Sequence, residues 1–65
     1  EFKFSLPYDM YEKIKYHFNH YHIENLQEEF TENITIFGII YAEEFSNFKK
    51  EIEEISNARI KVESL

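Results

Sequence analysis

Along this chain the spacing of the bulky apolar residues switches between two and 3.6 residues, and that switching constrains the fold more than any other feature. In "EFKFSL", Phe2, Phe4 and Leu6 fall on one side, with Lys3 and Ser5 on the other. Period two with bulky groups predicts a half-buried strand. Pro7 has no N–H to give a ladder, and its fixed φ suits the first residue of a helix. From Tyr8 onward Tyr11, Ile14, Phe18 and Tyr21 recur at three- and four-residue steps, with Met10 beside them. They form one stripe of an amphipathic helix ending near Tyr21. The segment "HIENLQEEF" fits either period through Leu26 and Phe30. The next run, "ITIFGIIY", follows the short polar "TEN" and is rich in β-branched and aromatic residues, so it predicts a strand that needs a neighbour. Residues 23–30 are therefore expected as its hairpin partner, with Phe30 opposite Ile34 and Leu26 opposite Gly38, where the absent side chain leaves room. "AEEFSNFKKEIEEIS" returns to helical period through Phe45, Phe48, Ile52 and Ile55, and its Lys and Glu residues form a charge lattice of the solvated kind. Asn57 suits a left-handed cap, and "RIKVES" predicts a last strand with Ile60 and Val62 inward and Arg59 and Lys61 outward.

The resulting order, β-α-β-β-α-β, predicts an α+β, ferredoxin-like fold: a four-stranded antiparallel sheet with two helices on one face, in a single domain over residues 1–65. A chain this short buries only about 60% of the surface it exposes unfolded. It has no cysteine, so neither a disulfide framework nor a thiolate site is open to it; seven Phe and five Tyr supply the core volume instead. The lack of cysteine staples leads to the expectation of a reducing, cytoplasmic setting. No apolar run approaches the roughly 20 residues that span a bilayer. A net charge of −6 works against DNA, nonspecific nucleic-acid contact and anionic membrane surfaces. Because the sequence starts at Glu1, it is expected to be excised from the C-terminal part of a longer, two-domain protein.

Three histidines crowd into "HFNHYH". His17 and His20, three apart on the first helix, could converge on one ion, whereas the direction of His22 is not fixed by the pattern. A zinc site needs at least three protein ligands, and the spacing matches no strong metal signature. The residues therefore read as a polar helix end, with His17 and His20 the candidate ligands if a metal binds, and no cofactor is expected. Ser5, Ser46, Ser56 and Ser64 lie in unrelated segments without a nucleophile-elbow pattern, so no enzyme is expected.

The sheet's open face is more informative. The strand over "ITIFGIIY" is apolar on both sides: Ile34, Ile36 and Ile40 one way, Phe37, Ile39 and Tyr41 the other. In the expected strand order (fourth, first, third, second) the uncovered face carries Arg59 and Lys61, then Lys3 and Ser5, then Phe37 and Ile39, then Ile23 and Asn25. An apolar patch beside cations implies a partner. Phe37, Ile39, Lys3, Arg59 and Lys61 are the expected contact residues. The expected partner is a protein surface, either a neighbouring N-terminal domain or a second copy. RNA or ribosome binding through the same face is the alternative; it is disfavoured because a single ring makes a poor stacking platform. A small-ligand regulatory module is a third reading, weakened because the single glycine lies inside a strand.

The stretches "FKFSLPYDMYEKIKYHF", "EEFTENITI" and "AEEFSNFKKEIEEISNARIKV" resemble, in pattern and spacing, the small C-terminal domain of the bacterial YigZ/IMPACT-like family. Tyr41 stands where a proline commonly opens the second helix, and Ala58 where a glycine commonly follows its end. The resemblance implies a ferredoxin-like module beside a larger N-terminal domain. It also implies a shape similar to the last domain of elongation factor G, a fold analogy with RNA or ribosome contact. Eukaryotic relatives of the N-terminal part act in translational control, which is the setting the resemblance suggests.

Overall fold

The structure, a computed structural model, describes residues 1–65. Its elements are β1 (Phe2–Leu6), α1 (Tyr11–His17), β2 (Ile23–Phe30), β3 (Ile34–Ile40), α2 (Ala42–Ile55) and β4 (Glu63–Ser64). Single 3₁₀ turns, Tyr8–Met10 and Phe18–His20, extend α1 at both ends, so the helical stripe runs to His20 as expected. Pro7 sits just outside the first turn as its cap, and the Met10 N–H closes that turn onto the Pro7 carbonyl. All pairings are antiparallel, and the strands lie in the order β2-β3-β1-β4. This is the ferredoxin-like arrangement that the periodicity predicts.

The apolar alternation of β1 and β3 buries Phe2, Phe4, Leu6, Ile34, Ile36 and Ile40 on one side of the sheet. Ile14 and Phe18 of the α1 unit, and Phe48 and Ile52 of α2, close over that same side in one continuous core. Phe48 is its hub: its ring lies 4.9 Å from Phe2, 6.2 Å from Phe4, 5.9 Å from Phe18 and 5.3 Å from Tyr21, centroid to centroid. Burying one such side chain contributes about 1.5–3 kcal/mol, a large share for a domain of this size.

Three details depart from the sequence expectations. First, β2 carries a bulge between Glu24 and Gln27, with Asn25 in the left-handed region at φ 53°. The extra residue reverses the facing of everything before it. Ile23, expected on the open face beside Asn25, instead pairs with Ile40 and packs on the core, and Glu24 takes the open side opposite Ile39. Second, the space left by Gly38 is not Leu26's. A Cβ at Gly38 would meet the Phe2 ring at 2.8 Å and an Ile23 methyl at 3.2 Å, so the glycine makes room for core packing.

Third, the β4 ladder is only two residues long, pairing Ser64 with Phe2 and Glu63 with Lys3. Ile60 and Val62 are buried as expected, but their segment is claimed by the end of α2. There the Asn57 N–H bonds to the Glu54 carbonyl and the Ala58 N–H to the Glu53 carbonyl, the double closure of a Schellman cap. Buried Ser56 donates its hydroxyl to the Glu53 carbonyl and accepts the Ile60 N–H, while the Arg59 N–H bonds to the Ser56 carbonyl. Those backbone donors serve the helix end rather than the sheet.

Candidate functional site

Both helices lie on one side of the sheet, so the opposite side carries no layer of its own. At its centre Phe37 and Ile39 are half-buried, flanked by Leu26 and Gln27 of β2 and by the terminal Leu65. These residues line a shallow groove of about 360 Å³. Lys3, cross-strand from Phe37, holds its ammonium 5.7 Å from the ring centroid, a cation–π distance. Behind it the hydroxyls of Ser5 and Thr35 approach to 3.3 Å across the same pair of strands.

The structure thus brings together Phe37, Ile39 and Lys3 of the expected contact residues. Arg59 and Lys61 alternate with the buried Ile60 and Val62 and so point away from the core. Glu63 stands opposite Lys3, and Arg59 and Lys61 are exposed on the chain between α2 and the short β4 ladder. On the other side of Phe37 and Ile39, the partners from β2 are Gln27 and Glu24, with Glu29 opposite Thr35. The face is an apolar centre with Lys3 over its ring, Glu24, Glu29 and Glu63 at cross-strand positions around it, and the exposed Arg59 and Lys61 on the chain that leads into β4. Glu24 and Glu63 went unnoticed in the sequence because the first depends on the bulge and the second on the short register of β4.

A second cluster lies at the end of the α1 unit. Nδ1 of His17 and Nδ1 of His20 both donate to Oε2 of Glu51 on α2, at 2.5 and 3.2 Å, and the Tyr21 hydroxyl donates to Oε1 at 2.6 Å. The Tyr21 hydrogen bond is the strongest influence holding the Glu51 carboxyl below its usual range; burial opposes it, and the two histidine bonds add to it. Burial, and then the bond to Glu51, push the Tyr21 phenol up to about 12. His22 turns away: its backbone N–H and Nδ1 both donate to Glu44, and its ring stacks on Tyr41 at 5.7 Å. Glu51 was hidden in the charge lattice of α2. Its position between Phe48 and Ile52, at the edge of the buried stripe, is the signal that could have singled it out.

The third polar contact joins α1 to β2. The Tyr11 hydroxyl donates to Glu28 at 2.7 Å, and Lys15 approaches the same oxygen at 3.2 Å. Burial pushes the Glu28 carboxyl up, but the bonds from Tyr11 and Lys15 outweigh it and leave it below the ordinary value. Lys15 is raised in turn, chiefly by its bond to the Tyr11 hydroxyl and then by Glu28.

The fold is that of a small α+β domain, one open antiparallel sheet with two helices on one face. A family model described as a domain of unknown function (DUF1949) matches residues 4–59. The chain belongs to that family, the small C-terminal domain of YigZ/IMPACT-like proteins, in agreement with the resemblance read from its strands and helices. No curated protein and no solved structure matched the chain in the same comparisons. No helix is long and apolar enough to cross a membrane.

Proposed function

We propose that this domain is a non-catalytic docking module of a YigZ/IMPACT-like protein, holding a protein surface, that of the parent chain's N-terminal domain, against its open sheet face. The observation that supports this most is the groove over Phe37 and Ile39, an apolar centre on a sheet side that no helix covers. Apolar centres with polar rims are how protein partners meet. Docking to a protein puts Phe37 at the centre and leaves Lys3 and Glu63 at the rim, where charges steer orientation more than they add affinity. The alternative, RNA or ribosome contact in a translational setting, fares less well on this surface. Glu24, Glu29 and Glu63 border the ring that would stack on a base, and the net charge of −6 repels phosphate.

Calorimetric titration of the domain with the separately produced N-terminal domain, at low and at high salt, tests the proposal. The expected result is binding that survives high salt and is lost in Phe37→Ala. Binding of structured RNA that disappears at high salt, with no binding of the protein domain, would overturn it.

A further inference from the structure

We propose that His17, His20 and Glu51 form a binding site for a divalent transition-metal cation of the zinc type, clamping the end of the α1 unit to α2. One ring nitrogen of each histidine and a carboxylate oxygen of Glu51 lie within 4.8 Å of one another, and Nδ1 of both rings faces Oε2. In a tetrahedral zinc site the bonds of about 2.0–2.1 Å place ligand atoms roughly 3.3 Å apart. His20 and Glu51 already stand at that separation, 3.2 Å, and His17 must withdraw from Oε2 by a little under 1 Å to admit the ion. The rings are free to do so: the side chains of His17 and His20 are 25% and 53% exposed. Two imidazoles and one carboxylate are a known zinc-binding set, with water as the fourth ligand.

The surroundings prepare the carboxylate for this role. Tyr21 occupies Oε1 at 2.6 Å, which leaves Oε2 as the ligand atom and fixes Glu51 as a one-oxygen donor. Hydrogen bonding of a ligating carboxylate by an outer residue is the usual companion of a metal site. The two histidines face each other edge to face at 5.4 Å, both presenting Nδ1 to the same oxygen; on binding, each ring carries its proton on Nε2. The elements bridged are also the right ones. A domain of this size without cysteine has no disulfide to cross-link its helices, and metals are the other staple small domains use. The sequence pattern led to an expectation of no metal because His22, Glu24 or water were the further ligands it offered and the spacing matched no metal signature; α2 supplies Glu51 instead.

The test is zinc chloride added to the chelator-treated 65-residue chain, followed by thermal melting and calorimetry, with cobalt(II) as a spectroscopic probe. At saturating zinc the melting temperature is expected to rise by about 5 °C or more. Cobalt is expected to give the intense visible bands of four-coordinate geometry. Tyr21→Phe is expected to weaken zinc about tenfold. His17→Ala, His20→Ala and Glu51→Gln should each abolish the shift, while His22→Ala leaves it unchanged. The absence of a zinc shift in the wild-type chain would overturn the proposal. So would a shift that persists in His17→Ala and His20→Ala, or one that His22→Ala removes, which would place the ion at His22 and Glu44.

Discussion

Ala58 offers the cleanest test of how the chain ends its second helix. Two consecutive residues, Asn57 at φ 55° and Ala58 at φ 65°, hold left-handed backbone there. Asparagine tolerates that region; an alanine Cβ does not, at a cost of roughly 1–2 kcal/mol. Replacing Ala58 by glycine removes the strain. It also gives the unfolded chain more freedom, which takes back about 0.4–1 kcal/mol. Ala58 is exposed, so no buried methyl is lost. Its N–H bond to the Glu53 carbonyl is made by the backbone and survives. The balance is a stabilisation of about 0.5–1 kcal/mol, or a rise of roughly 3–6 °C in melting temperature for a domain of this size. Urea denaturation of Ala58→Gly should show a higher midpoint with an unchanged slope. A midpoint equal to or below that of the parent would refute the strain argument, and with it the claim that two left-handed residues carry this turn.

Phe48→Ala removes the ring that touches Phe2, Phe4, Phe18 and Tyr21; a loss of about 3–5 kcal/mol is expected by denaturation. The total stability of 65 residues is only about 3–10 kcal/mol, so circular dichroism at 37 °C should show much of that variant unfolded. The Tyr11–Glu28–Lys15 contact gives a pH dependence. A carboxyl lowered on folding contributes stability that is present above its ordinary value of 4.5 and is lost as pH falls through the lower, folded value. Lys15, raised from 10.5, contributes below that value and loses its part as pH rises through the folded one. Tyr11→Phe should therefore be less stable than the parent at pH 7, by on the order of 1 kcal/mol or less, and the difference should shrink below pH 4.5. Tyr21, with its phenol at about 12, should give a late step in an alkaline ultraviolet titration run with chelator present. Because that value is raised on folding, its contribution to stability holds below about pH 10 and fades towards pH 12. Tyr21→Phe should delete the late step and no other.

The topology was legible because apolar spacing and element order determine it together. Phe2, Phe4 and Leu6 at period two, and Phe45, Phe48, Ile52 and Ile55 at helical period, leave few ways to build a single core. What escaped was set by hydrogen bonds without a periodic signature. The bulge in β2 rests on Asn25 taking a left-handed turn amid polar neighbours, and it alone decides that Ile23 faces the core and Glu24 the open side. The shortness of β4 rests on Ser56, whose hydroxyl takes the Ile60 N–H. Phe37 and Ile39 were visible as candidates because an apolar residue on both faces of a strand contradicts a one-sided core. The glutamates around them were not, since their positions depend on register. Glu51 joined the histidines only through the packing of α2 on the α1 unit, a contact between residues more than thirty positions apart, except for Tyr21 at thirty.

The most direct measurement of the docking account is an amide chemical-shift titration of the labelled domain, at high salt, with the N-terminal domain proposed as its partner. The account predicts shifts at Lys3, Gln27, Phe37 and Ile39, with α1 and α2 unaffected. Shifts confined to the helices, or none at all, would contradict it.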